Sequence, residues 1–145
     1  MMRATGYEAY LRVQTETSSP GQLIALLYDA MIRSLDRARE GLAQRDVEKA
    51  HEPLLRAQDI ALELIVSLNM DDTGEAGAMA RQLAPLYEYM YRRLLDASVH
   101  KDVEAVDEVR RLLVPVREAW ADALERLSRQ SAAAPTMHQT GGRRG

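Results

Sequence analysis

Histidines and carboxylates at helical spacing are the residues of this 145-residue chain most able to do chemistry. Glu48 and His51 form one Glu-x-x-His pair, and helical bundles hold two metal ions when two of their helices each carry such a pair. The spacing occurs once, and His100 and His138 have no nucleophile or carboxylate at a recognisable distance along the chain. We therefore predict no metal site, no cofactor and no catalytic residue, and we do not expect an enzyme.

The composition narrows the function further. There is no cysteine, which removes thiolate nucleophiles and disulfides and is compatible with a reducing cytosol. The net charge is −3, and the basic residues are scattered among acidic ones, so nucleic acid is a poor candidate partner. No apolar run approaches the roughly 20 residues that span a bilayer, and the first residues lack a secretory signal. We expect a cytoplasmic protein without membrane insertion.

The elements that carry these residues are four helices, each with a start signal. At the first, Ser19 is the predicted N-cap, Pro20 takes the first helical position, and Gln22 can reach back to the cap. The predicted N-caps of the first, second and fourth helices are Ser19, Asp46 and Asp102, and the third helix is predicted to start near Asp72 or Thr73. The predicted ends of the first three helices are about Gln44, Asn69 and His100. No period-2 apolar pattern appears, so we predict no sheet.

Short connections between long helices favour antiparallel neighbours. The sequence therefore predicts an all-α fold, an antiparallel up-down four-helix bundle over residues 19–130. Residues 1–18 are expected to form a mobile N-terminal segment and residues 131–145 a flexible, disordered tail. Pro53, Pro85 and Pro115 lie inside the helical patterns, where we expect a kink or an interrupted turn. Trp120 shares the apolar stripe of the fourth helix, so core packing is preferred over ligand stacking.

The second helix has more apolar surface than one side of a bundle requires. Leu55, Leu62 and Val66 occupy one flank of its inner stripe, and Ile60 and Leu64 occupy the other. The apolar arc then spans about 240°, whereas a helix on the outside of a bundle needs little more than about 100°. Either the helix is packed centrally, or a groove stays open for an amphipathic partner helix. In a bundle of four helices we prefer the groove.

The tyrosine-rich run of the third helix divides by direction. Tyr87 and Tyr91 lie one turn apart and are expected to point inward. Tyr89 points to the opposite side, next to Arg92 and Arg93. An outward tyrosine among arginines fits a solvated surface or a partner contact equally well.

Several short motifs, in a fixed order and spacing, resemble one known family. These motifs are Thr17–Pro20, Leu23, Leu27–Asp29, Ala57–Ile60, Leu68–Asp71, Leu86–Leu94 and Arg117–Trp120. Together they look like the flagellar secretion chaperone of flagellin, the FliS family, and the likeness covers about residues 7–128. It implies a cytoplasmic four-helix bundle that binds the C-terminal segment of flagellin, prevents premature polymerisation and presents flagellin to a component of the flagellar type III export gate.

The resemblance also implies a role for the segment before the first helix. In the family this segment carries a tyrosine and can cover part of the binding surface or help engage the export apparatus. The matching residue here is Tyr10. The candidate partner-binding residues are Tyr10, Leu11, Val13, Leu55, Ile60, Leu62, Leu64, Val66 and Tyr89. The alternative is a self-associating structural bundle, in which the surplus flank of the second helix is buried in a homodimer.

Overall fold

The structure, a computed structural model, describes residues 19–144, with side chains described as far as Ala132. It consists of four helices, α1 (Pro20–Ala43), α2 (Val47–Ser67), α3 (Glu75–His100) and α4 (Val103–Arg144). Between residues 19 and 144 there is no strand, which confirms the predicted all-α fold. Across the same residues, no helix combines the length and apolar character needed to cross a bilayer.

The helices begin largely where local hydrogen bonding directs them. At α1, the Gln22 amide N–H donates to Ser19 Oγ, and the Ser19 amide N–H donates to Gln22 Oε1, both at 3.2 Å. This reciprocal pair is the predicted capping box. Helix α3 begins close to its predicted start, and its N-cap is Gly74, which makes no side-chain cap bond. Asp72 instead accepts a hydrogen bond from the Gly74 amide N–H at 2.6 Å.

Two of the three connections use one aspartate for both helices. The amide N–H of Asp46 donates to the Gly41 carbonyl and completes the end of α1, while its carboxylate accepts from the Lys49 amide N–H and caps α2. Asp102 does the same between α3 and α4, donating to the Ala97 carbonyl and accepting from the Glu104 amide N–H. Sharing one residue between a helix end and the next start keeps these loops short.

Contacts divide the described residues into two compact units: Leu26–Val114 (the central unit), and residues 19–25 together with residues 115–144 (the terminal unit). In the central unit, Asp36 pairs with Arg110 and Arg39 pairs with Asp107, each at 2.7 Å. As the residue number rises on α1 it falls on α4, so these two helices are antiparallel.

Helices α2 and α3 also pack against each other as antiparallel neighbours. Gln58 Nε2 donates to the Leu94 carbonyl at 3.4 Å, and Arg81 Nη1 donates to the Met70 carbonyl at 2.9 Å. These contacts place residue 62 of α2 level with about residue 90 of α3.

Leucine, methionine, β-branched residues and two tyrosines fill the core of the central unit. Its largest fully buried side chains are Tyr28, Met31, Leu35, Ile60, Leu64, Tyr87, Met90, Leu94, Val106, Val109 and Leu113. The prediction that Tyr87 points inward is confirmed. Met79 on α3 is half exposed, because the buried positions of the first turns of this helix are the small residues Gly77, Ala80 and Ala84.

The three prolines inside the helical patterns do not end their helices. Pro53 lies within α2 and Pro85 within α3, and both helices continue through them. Pro115 lies within α4, where the terminal unit resumes after the central unit.

The terminal unit joins the first turns of α1 to the second half of α4. Trp120 is partly buried, and its indole Nε1 donates to the Gly21 carbonyl at 2.8 Å. Helix α4 reaches Arg144 and so overlaps residues 131–145, where the sequence predicts a flexible tail. Side chains after Ala132 are not among those described, and the tail stays a prediction. Residues 1–18, the predicted mobile segment, lie outside the described residues.

Candidate partner-binding surface

Most of the exposed large apolar side chains lie on one pair of helices. Nine such residues are exposed among those described. Eight of them belong to α2, α3 or the loop between these helices: Val47, Leu62, Val66, Met70, Met79, Tyr89, Leu95 and Val99. The ninth is Leu127 on α4. Within the central unit, neither α1 nor α4 exposes any, so a partner with an apolar face would find its match on α2 and α3.

The geometry of α2 and α3 brings several of these residues to one edge. Leu62 and Val66 follow Gln58 by one and two turns, so they lie on the edge of α2 from which Gln58 reaches α3. On α3, Val99 follows Arg81 by about five full turns and therefore lies on the same side of the helix. This is the side from which Arg81 reaches the loop after α2. We call the set Leu55, Leu62, Val66, Met70, Leu95 and Val99 the α2–α3 surface.

The structure separates the predicted contact residues of α2 into two groups. Leu62 is 43% exposed and Val66 is 76% exposed, while Leu55 is half-buried. Ile60 and Leu64 are 0% exposed and belong to the core of the central unit. Their placement on an accessible flank is wrong. The flank of α2 with Ile60 and Leu64 is packed inside the central unit, and the flank with Leu62 and Val66 is exposed. A groove for a partner helix stays a prediction.

Tyr89 lies apart from the α2–α3 surface, on the edge of α3 that faces α4. Its hydroxyl donates to Glu108 Oε2 at 2.6 Å, and Arg93 Nε donates to Glu108 Oε1 at 2.7 Å. Arg93 also pairs with Asp96 at 3.2 Å. Tyr89 is exposed yet held in place, and the structure does not bring it together with Leu62 or Val66.

Hydrogen bonding in this cluster shifts the pKa values of Glu108 and Tyr89. The bonds from Tyr89 and Arg93 stabilise the ionised carboxylate and lower the pKa of Glu108. The same bond to Glu108 raises the pKa of Tyr89, because it holds the phenol proton. Hydrogen bonds and ion pairs therefore connect Tyr89, Arg93, Asp96 and Glu108 into one cluster.

The opposite side of the central unit is charged. Asp36, Arg39, Asp107, Arg110 and Arg111 line a shallow depression of about 390 Å³ between α1 and α4, which we call the α1–α4 face. Four of the five residues are paired across the two helices. All five lining residues are charged, and the two ion pairs engage the charged groups of four of them.

The described residues contain no cluster of three or more side chains able to hold a metal ion. Glu48 and His51, the one pair at a metal-binding spacing, are exposed on the first turns of α2. Nothing in the described part of the chain gathers further ligands around them.

Three residues of the α2–α3 surface were not predicted: Met70, Leu95 and Val99. Leu95 and Val99 lie one turn apart on α3, so their spacing alone puts two large apolar residues on one side of that helix. Met70 follows the end of α2 in the loop, where helical periodicity gives no direction. Tyr10, Leu11 and Val13 lie outside the described residues, and their role as a cover stays a prediction.

Comparisons with known proteins place the chain in a family. The family model described as "Flagellar protein FliS" matches residues 3–127. The flagellar secretion chaperone FliS of Salmonella typhimurium is 37% identical over 136 residues, covering 91% of this chain and 99% of the relative. The proteins of the same name from Escherichia coli and Bacillus subtilis are 33% and 30% identical, covering 86% and 82% of this chain and 93% and 86% of the relatives. A match over nearly the whole helical core and at this level of identity shows that the chain belongs to the FliS family of flagellar proteins.

Proposed function

We propose that this chain is a cytoplasmic export chaperone that binds the C-terminal region of flagellin. Binding covers an apolar face of the client, prevents premature polymerisation and delivers flagellin to the flagellar type III export apparatus. Family membership supports the chaperone role in flagellar export. One observation carries the assignment of the client surface: eight of the nine exposed large apolar residues belong to α2, α3 and their loop.

An apolar strip suits a client that folds as it binds. Such a segment spends part of its interaction energy on becoming ordered, so it needs a long contact surface rather than a few strong contacts. From Leu55 to Val66 the strip on α2 is about 16 Å long, the length of about three turns of a client helix. Met70 continues the strip past the end of α2. Leu95 and Val99 lie beside it on α3, at about the level of the first half of α2.

Co-purification with flagellin tests the client. Full-length flagellin should co-purify with the chain, and flagellin that lacks its C-terminal helix should not. Retention of the truncated flagellin would contradict the proposal.

Aspartate substitutions test the surface. Leu62→Asp and Val66→Asp together should weaken binding of a flagellin C-terminal peptide by at least about tenfold, because each places a charge against an apolar client. The matched control is Leu127→Asp, which makes the same change at a residue that is 58% exposed outside the α2–α3 surface. Far-UV circular dichroism checks that all variants stay helical. Equal binding by the double variant and the control would place the client elsewhere.

The same surface also fits self-association, which is the alternative function. Light scattering with and without the flagellin peptide separates the two. We expect a peptide-bound monomer, while a stable dimer that the peptide does not change would favour the alternative.

A further inference from the structure

The loop between α2 and α3 is held by an arginine that spends its hydrogen bonds on backbone carbonyls. Arg81 Nη1 donates to the Met70 carbonyl at 2.9 Å and to the Asp72 carbonyl at 3.3 Å. Backbone carbonyls that follow a helix have no partner within it and need a donor or water. The guanidinium of Arg81 supplies a donor to two of them at once.

The loop also lies directly on the first turns of α3. A Cβ atom at Gly77 would come within 1.7 Å of the Asp72 carbonyl oxygen and 2.6 Å of its carbonyl carbon. Only glycine lets the loop backbone approach the helix this closely. Asp72 in turn accepts from the Gly74 amide N–H, so the loop is fixed at Gly77, at Arg81 and within itself.

Met70 is the exposed large apolar residue of this loop. Its carbonyl is held by Arg81, yet the residue is 44% exposed at the end of the α2–α3 surface. A methionine side chain adapts to differently shaped apolar partners, while its backbone here is fixed. A fixed backbone lowers the entropy lost when a partner binds.

We propose that Arg81 is a positioning residue for client binding, which holds the α2–α3 loop so that Met70 forms the end of the client surface. The proposal rests on the function proposed above and extends its surface from the helices into the loop. Arg81 acts through Met70, and a direct contact between Arg81 and the client is not required.

A double-mutant cycle tests this coupling by isothermal titration of a flagellin C-terminal peptide into the full chain. Arg81→Ala and Met70→Ala should each raise Kd by about three- to tenfold. The double variant should bind no worse than Met70→Ala alone, because Arg81 has no effect once Met70 is absent. Arg81→Lys, which keeps one donor group, should restore part of the affinity.

Hydrogen exchange and a matched control separate positioning from folding. Amides of residues 69–74 should exchange faster in Arg81→Ala, while Arg37→Ala, an exposed arginine of α1, should change neither exchange in the loop nor Kd. Additive effects of Arg81→Ala and Met70→Ala, or an unchanged Kd in Arg81→Ala, would overturn the proposal. Leu62→Asp distinguishes failure of the proposed client surface from failure of the proposed role of Arg81. If Leu62→Asp binds the peptide like the unaltered chain, the client surface itself is wrong. If Leu62→Asp loses binding while Arg81→Ala and Met70→Ala are additive, only the role of Arg81 is wrong.

Discussion

Two buried phenols meet in the core of the central unit. The hydroxyl oxygens of Tyr28 on α1 and Tyr87 on α3 are 2.5 Å apart, and both side chains are buried. Burying a hydroxyl without a hydrogen-bond partner costs free energy, and the hydrogen bond between the two phenols offsets part of this cost for both. Burial raises the pKa of both groups, because the interior disfavours the phenolate.

This pair predicts a loss of stability at alkaline pH. The ordinary tyrosine pKa is 10.0, and the folded state raises it for Tyr87, so the folded protein keeps a proton that the unfolded chain releases. The contribution of this pair to the free energy of unfolding should therefore be constant below about pH 10 and decrease as the pH rises further. Tyr87→Phe should cost about 1–2 kcal/mol at pH 8, because it leaves Tyr28 without this bond, and should make the alkaline decline shallower.

Urea unfolding between pH 7 and 11 measures both effects. Tyr91→Phe is the control, since Tyr91 is a half-buried tyrosine one turn from Tyr87. Equal losses of stability in the two variants would contradict the stabilising role of the Tyr28–Tyr87 hydrogen bond. So would an unchanged dependence of stability on pH above about pH 10 in Tyr87→Phe.

At the scale of elements, the α1–α2 hairpin depends on a close approach of two helices. A Cβ atom at Gly41 would lie 2.7 Å from the backbone nitrogen of Ala50 and 2.9 Å from its Cα. Backbone atoms cannot move aside without shifting α2. At Gly21, by contrast, the nearest atom is the end of the Leu124 side chain, at 2.8 Å, which can rotate away.

These two glycines of α1 predict opposite outcomes for the same substitution. Gly41→Ala should lower the free energy of unfolding by about 1–3 kcal/mol through overpacking. Gly21→Ala should leave it unchanged or raise it by up to about 1 kcal/mol, because alanine is the better helix former. Urea unfolding of both variants gives the comparison. A Gly41→Ala variant as stable as Gly21→Ala would mean that the two helices are farther apart than described.

At the scale of the whole molecule, apolar and charged surfaces are segregated. The α2–α3 surface carries exposed leucine, valine and methionine, while the α1–α4 face carries paired charges. Exposed ion pairs on α1 and α4 add little to stability, so we attribute to them mainly the solvation of that face. The α2–α3 surface is therefore the one on the central unit that matches the apolar client face proposed above.

Segregation predicts a thermodynamic signature for client binding. Titration of the flagellin C-terminal peptide at several temperatures should give a negative heat-capacity change, because apolar area is buried. The Kd should change by less than about threefold between low and high salt, since apolar burial is not screened. A heat-capacity change near zero with a steep salt dependence would instead indicate binding at the α1–α4 face.

The sequence by itself determined which segments are helical, because the signals for this are local. Ser19 and Gln22 are three residues apart, and Asp46 and Asp102 cap the helices that follow them directly. The third helix shows the limit of such signals, since its start was predicted only to lie near Asp72 or Thr73 and its N-cap is Gly74, which has no side chain to cap it. Asp72 interacts instead with the loop, and that role depends on how close the loop comes to Gly77.

Only the tertiary structure decided which apolar residues stay accessible. Helical periodicity gives the angle between Leu62 and Leu64 on α2, but it does not say which side a neighbouring helix will cover. Packing against α3 leaves Leu62 and Val66 open, while the core takes in Ile60 and Leu64. Met70 lies in a loop that Arg81 holds from the next helix, so its place in the surface depends on a contact between distant residues. Burial is a property of neighbours brought together by folding, and a single helix does not contain that information.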